Sequence, residues 1–142
     1  MPTSNASAVW EGGLKGGRGR FKAGSGAFEG DYSFSTRFEG ARGTNPEELI
    51  AAAHAACLSM ALSAGLEKAG SPATRISTKA SCTIDKVGDG FKITKMRLEV
   101  RGEVPGIDDA AFRAAAEKAK EGCPVSQALK GNVPFELDAR LA

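Results

Sequence analysis

Between Leu49 and Leu66 the chain carries no charged side chain, and its only polar ones are His54, Ser59 and Ser63. So long an apolar and small-residue stretch predicts a helix that is buried all round. Its ends are marked in the sequence. Asn45 can cap the first turn, Pro46 fits the first helical position, and Glu47 and Glu48 favour the positive end of the helix dipole. Glu48 also completes an Asn-x-x-Glu capping box. Lys68 suits the negative end and Gly70-Ser71-Pro72 stops the helix, which predicts about 24 residues and roughly 36 Å. The run is rich in Ala with no second span nearby, so it reads as a core helix rather than a membrane crossing.

Other stretches change period. Ala8 to Glu11, Arg18 to Lys22 and Tyr32 to Phe38 read as strands of a Gly-punctuated meander, the last because Tyr32, Phe34, Thr36 and Phe38 alternate against Arg37. Arg75 to Lys86 alternates Ile76, Thr78, Ala80, Cys82 and Ile84 with polar residues and predicts a half-buried strand. Gly88-Asp89-Gly90 turns it into a second long strand, Phe91 to Glu103. Asp108 can cap a helix over Asp109 to Glu121 with a buried stripe of Phe112, Ala115, Ala116 and Ala119. Pro124 then places Cys123 at the start of a short helix through Leu129, before a final strand near Val133 to Leu141. The layout predicts an α+β fold with an antiparallel sheet around the long helix.

At 142 residues the chain fits one domain, in which a 24-residue apolar helix is hard to cover alone, so a homodimer is expected. A net charge of +2 gives no electrostatic case for nucleic acid or membrane as partner. Gly16-Gly-Arg-Gly-Arg-Phe superficially looks like an RGG segment or a phosphate loop, but no helix follows to supply an anion site, and it reads as an exposed hairpin. The beginning of the chain shows no basic region followed by an apolar stretch, which makes the cytoplasm the expected location. Three widely spaced cysteines fit a reduced compartment, and one His with no CxxC argues against a structural zinc site. No metal, haem or flavin motif is visible, so no cofactor is expected.

The candidate chemistry lies in sulfur. His54 and Cys57 are three apart on one helix, the spacing of a Cys-His nucleophilic pair, but no orienting group or oxyanion hole accompanies them, and His54 reads as an interior residue held by a hydrogen bond. Cys57 and Cys123 form an asymmetric pair, one thiol held on a buried helix and the other at a helix start after glycine. Such a pair suits oxidation to a sulfenic acid followed by resolution as a disulfide, although spacing alone does not bring them together. Cys82 reads as a small core residue without chemistry.

Thr36-Arg-Phe-Glu-Gly, then Gly43-Thr-Asn-Pro-Glu-Glu-Leu-Ile-Ala-Ala-Ala-His-Ala-Ala-Cys57-Leu-Ser-Met-Ala-Leu-Ser, and later Gly122-Cys-Pro-Val-Ser-Gln together resemble the osmotically inducible protein C (OsmC) branch of the OsmC and organic hydroperoxide resistance (Ohr) family. The resemblance runs through Val9-Trp-Glu-Gly, Asp85-Lys-Val and Val104-Pro-Gly-Ile, over essentially the whole chain. It implies a cysteine-based peroxidase reducing organic hydroperoxides to alcohols in stress defence, with Cys57 peroxidatic and Cys123 resolving. It also implies that Arg37 and Glu47 activate the thiol and that a dithiol, such as a lipoylated protein, is the reductant. His54 has no role that the family assigns.

A guanidinium beside a thiol stabilises its thiolate, and Glu47 can hold Arg37 by a two-point fork. Glu47 precedes Cys57 by ten residues on one helix, about 15 Å along the axis and on a different face, so the two cannot touch within a chain. Glu47 and Arg37 are therefore expected to reach Cys57 from the second subunit of an intertwined dimer. The non-enzymatic alternative is a dimeric stress protein that binds an apolar ligand in its interface pocket.

Overall fold

The computed structural model describes residues 1–142. Its backbone divides into two compact units, Met1–Glu48 and Leu49–Ala142.

The first unit carries an antiparallel meander of β1 (Ala6–Glu11), β2 (Arg18–Ala23) and β3 (Glu29–Tyr32). Gly19 pairs with Trp10 on one side and Tyr32 on the other. A Cβ at this position would stand 2.7 Å from the Trp10 ring and 2.5 Å from that of Tyr32. The missing side chain lets the two rings approach to 5.6 Å between centroids. Only Gly19 and Ala23 are buried on β2, and all of β1 is exposed.

The expected third strand, Tyr32 to Phe38, is corrected: β3 ends at Tyr32 and Phe34–Phe38 is a helix, α1. The alternation that suggests a strand is overruled by a capping box. The Ser33 hydroxyl accepts from the Thr36 amide at 3.2 Å, and the Ser33 amide donates to the Thr36 hydroxyl oxygen at 2.9 Å. Phe34 and Phe38 then become i,i+4 neighbours with ring centroids 5.0 Å apart.

Helix α2 (Pro46–Lys68) begins at the expected proline. Asn45 accepts from the Glu48 amide at 2.8 Å, so its capping role holds. The reciprocal half of the expected capping box does not form as read, because the Glu48 carboxylate instead accepts from the Thr44 hydroxyl at 2.7 Å. Within the single chain α2 is not buried all round. Ala51, His54, Leu58, Leu62 and Leu66 are buried at helical spacing, while Ala52, Ala53, Ala56, Ser63, Ala64 and Gly65 are exposed and Met60 is 74% exposed. The sequence cannot rank one face above another because Ala and Ser occupy the remaining positions.

The second unit adds β4 (Arg75–Val87) and β5 (Gly90–Glu103), the expected hairpin, with an irregularity between Thr83 and Ile84. Helices α3 (Asp109–Gly122) and α4 (Pro124–Leu129) follow, and β6 (Phe135–Leu141) closes the sheet in the order β4-β5-β6. The wholly antiparallel expectation is corrected here, since β6 runs parallel to β5, with Met96 opposite Phe135 and Val100 opposite Ala139. The intervening helices return the chain to the starting edge, which a tight turn cannot do. The core packs Leu58, Leu62 and Leu66 of α2 and Phe112, Ala116 and Ala119 of α3 on Met96, Leu98 and Val100 of β5.

Phe112 is fully buried and lies where a side chain on Gly102 would stand, 2.5 Å from its ring Cζ. Gly102→Ala is therefore expected to destabilise the protein by about 1–3 kcal/mol in urea unfolding. An unchanged midpoint would show that the ring can yield.

Candidate active site

Helices α2 and α4 bring two thiols together. Cys57 lies half-buried in the middle of α2, and Cys123 is fully buried at the N-cap of α4. The cap is the thiol itself, since the Ser126 amide donates to Cys123 Sγ at 3.3 Å. Pro124 supplies the first helical residue, which has no amide to satisfy. Burial pushes the Cys57 thiol above its ordinary range, the backbone N–H of Val125 opposes that shift, and the neighbouring Cys123 thiol reinforces it. None of these influences is a cation.

His54 does not form a dyad with Cys57. Its Nε2 lies 2.7 Å from Ser126 Oγ, and Cys123 Sγ donates to that same oxygen at 3.1 Å. The imidazole is buried, edge-on to Phe135 at 5.1 Å, and its Nδ1 has no hydrogen-bond partner. Burial holds its titration below the ordinary value. A histidine depressed in the folded state binds fewer protons there than in the unfolded chain. Its contribution is therefore complete above the unfolded value and is lost as pH falls through it. Wild-type stability is expected to decline between about pH 7 and pH 5, where an imidazole titrates, and His54→Gln should flatten that decline in urea midpoints measured across the range.

In the first unit, Arg37 in the last turn of α1 grips Glu47 in the first turn of α2. Its Nε donates to both carboxylate oxygens at 3.1 and 3.3 Å, and Nη2 donates to Oε1 at 2.8 Å. Glu47 is 4% exposed, whereas the Arg37 side chain keeps 37% of its surface open. The corner is set by Asn45, which caps α2 and also donates to the Thr36 carbonyl oxygen of α1 at 3.1 Å. Beside the guanidinium is a pocket of about 270 Å³ lined by Trp10, Leu14, Tyr32, Phe34, Arg37 and Phe38, among others. The Arg37 guanidinium carbon is 5.1 Å from the centre of the Phe38 ring. One cation in an aromatic and aliphatic wall suits a ligand with an apolar body and a polar end.

Comparison with known proteins gives the family of the chain. The family model described as OsmC-like protein matches residues 39–138. The chain is 52% identical to the Peroxiredoxin OsmC of Escherichia coli (strain K12) over 134 residues, 94% of each chain. The chain belongs to the OsmC-like family. The Organic hydroperoxide resistance protein of Xanthomonas axonopodis pv. citri is 38% identical over 100 residues, 69% of this chain and 68% of the relative. Among solved structures, an organic hydroperoxide resistance protein from Elizabethkingia anophelis aligns with a TM-score of 0.82 at 27% identity, covering 100% of this chain and 98% of the other.

Of the expected site residues in this OsmC-like chain, the structure joins Cys57 to Cys123 and Arg37 to Glu47. Each pair lies within one of the two units. Sequence reasoning did not single out Ser126 or Val125. Two signals pointed there: a buried histidine requires a polar partner, and Ser126 stands three residues after an N-cap cysteine, where its amide turns back to the cap.

Proposed function

We propose that this OsmC-like chain is a cysteine-based peroxidase that reduces organic hydroperoxides to alcohols, with Cys57 peroxidatic and Cys123 resolving. The observation that carries the reading is the apposition of the half-buried Cys57 to the buried Cys123 at the start of α4. The relatives named peroxiredoxin and organic hydroperoxide resistance protein support the reaction class.

The Cys57 thiolate attacks one peroxide oxygen, the O–O bond breaks, and an alkoxide leaves to take up a proton and become the alcohol. Cys57 is left as a sulfenic acid, which Cys123 converts to a disulfide with loss of water. A dithiol reductant then restores both thiols. No metal, haem or flavin is required, because sulfur carries the two electrons.

The first step needs a thiolate, and burial opposes one at Cys57. The Arg37 guanidinium, aimed by Glu47, supplies the positive charge and steadies the departing alkoxide. Along α2, ten residues separate Glu47 from Cys57, about 15 Å of axial rise. The Arg37–Glu47 pair of one subunit therefore serves the Cys57 of its partner in a homodimer. Two features support this assembly: the exposed apolar face of α2 around Met60, and a meander that leaves Val9 60% and Phe28 51% exposed. The aromatic pocket beside Arg37 receives the apolar tail of the hydroperoxide.

Reduced protein treated with one equivalent of cumene hydroperoxide, then mapped by peptide mass under non-reducing conditions, should show a Cys57–Cys123 disulfide within one chain. Unmodified cysteines with the peroxide unconsumed would instead favour a non-enzymatic binder of apolar ligands. A second test addresses the dimer. Cys57→Ser and Arg37→Ala subunits, each inactive alone, should recover activity when unfolded together and refolded, because each mixed dimer contains one intact composite site. No recovery on mixing, or a fully active monomer, would reject the shared site.

A further inference from the structure

We infer that Ser126 and His54 form a relay that takes the proton from Cys123 as this thiol attacks the Cys57 sulfenic acid, Ser126 touching the reacting sulfur and His54 positioning and polarising Ser126. The inference rests on the peroxidase reading above and assigns two further residues to its second step.

The thiol, the hydroxyl and the imidazole nitrogen stand in line. Cys123 Sγ donates to Ser126 Oγ at 3.1 Å, and that oxygen lies 2.7 Å from His54 Nε2. If Nε2 carried the ring proton it would also donate to Ser126, leaving the hydroxyl hydrogen without an acceptor. With the ring proton on Nδ1 instead, the line runs thiol to hydroxyl and hydroxyl to Nε2, and the one group left unpaired lies outside it. Nδ1 is then a buried N–H without a partner. An orphaned polar atom in a fully buried ring is costly, and a redox or catalytic role is one recognised reason for retaining it. Burial also keeps the imidazole uncharged and ready to accept. The relay is sealed, since Cys123 and His54 are 0% exposed and Ser126 is 2% exposed. Water therefore does not compete for the thiol's proton.

The step balances. The Cys123 sulfur attacks the Cys57 sulfur, the S–S bond forms, and the S–O bond of the sulfenic acid breaks. The proton released by Cys123 shifts to Ser126 as the Ser126 proton shifts to Nε2. The departing hydroxide takes one proton from solvent at the half-buried Cys57, and the imidazolium returns one to solvent after the disulfide has formed, so that thiol and sulfenic acid become disulfide and water. The Cys123 sulfur supplies the electron pair of the new S–S bond, the pair of the broken S–O bond leaves with the hydroxide, and no outside oxidant enters. The arrangement also separates the thiols by role: the half-buried Cys57 meets peroxide, while Cys123 waits with its proton held.

The test follows two rates in one turnover. Reduced protein is mixed with cumene hydroperoxide and quenched at intervals with dimedone and acid, and mass spectrometry counts Cys57 sulfenic acid and Cys57–Cys123 disulfide. In Ser126→Ala the ratio of disulfide formation to sulfenic acid formation should fall by about 100-fold or more, with the dimedone adduct accumulating. Ser126→Thr, which keeps a hydroxyl, should recover most of that ratio. The wild-type disulfide step should slow in deuterium oxide, and Ser126→Ala should lose that slowing. A merely structural serine would move none of these selectively. His54→Gln provides an independent reading of the same ratio should Ser126→Ala fail to fold. Disulfide formation at the wild-type ratio in a folded Ser126→Ala or His54→Gln protein overturns the relay while leaving the peroxidase intact. Absence of any disulfide in the wild type removes the peroxidase reading and the relay with it.

Discussion

Cys57→Ser should lower hydroperoxide consumption by at least about a thousandfold, because a hydroxyl is a far weaker nucleophile than a thiolate and cannot carry the two-electron change. The substitution is nearly isosteric at a half-buried position between the buried residues His54 and Leu58, so α2 should pack as before. The expected result is a folded protein with wild-type circular dichroism and no turnover of cumene hydroperoxide in a coupled peroxide assay. Cys123→Ser should behave differently. One equivalent of peroxide is still reduced, and Cys57 sulfenic acid, or its overoxidised products, accumulates. A Cys57→Ser protein with substantial turnover would move the chemistry to another residue and end the proposal.

The second large effect is expected at Arg37. Arg37→Ala removes both the activating charge and the partner of a carboxylate that is only 4% exposed. Hydroperoxide reduction should fall about 100-fold or more, the scale on which a positioned charge or donor contributes to transition-state stabilisation. The lone Glu47 carboxylate left behind should also cost about 3 kcal/mol in urea unfolding, the lower end for breaking a buried pair because the arginine is partly open to solvent. Arg37→Lys should rescue little. An ammonium is a point charge and cannot reproduce the Nε and Nη2 fork on Glu47. The discriminating measurement is the rate of Cys57 alkylation by iodoacetamide against pH: without Arg37, its midpoint should move to higher pH. An unmoved midpoint would leave thiolate activation to some other group.

Helix starts and stops were the most legible features, because capping depends on a few residues close in sequence. Asn45 before Pro46, Asp108 before α3 and Cys123 before Pro124 all mark observed caps. The segment from Phe34 to Phe38 departs from its alternating pattern for a related reason. Alternation and the Ser33–Thr36 capping box make opposing local claims on five residues, and the reciprocal hydrogen bonds win. The direction of β6 was not legible in its composition. Parallel and antiparallel pairing differ in the path of the connecting chain, and that path is set by how α3 and α4 pack.

For the site, the sequence determined the cast: two cysteines in specific settings, an arginine, a glutamate, and the family to which their spacing belongs. The bidentate grip of Arg37 on Glu47 was legible as a chemical match, because guanidinium and carboxylate have complementary donors and acceptors. Only the tertiary structure decided who meets whom inside the protein. It turned His54 away from its helical neighbour Cys57 and onto Ser126, 72 positions along the chain, and it placed Cys123 against Cys57. It also showed which stripe of α2 the single chain covers and which it leaves open. The physical reason is the same in each case. Caps and periodicities act over a few residues, whereas burial, desolvation and the pairing of buried polar groups depend on elements far apart in sequence meeting in space.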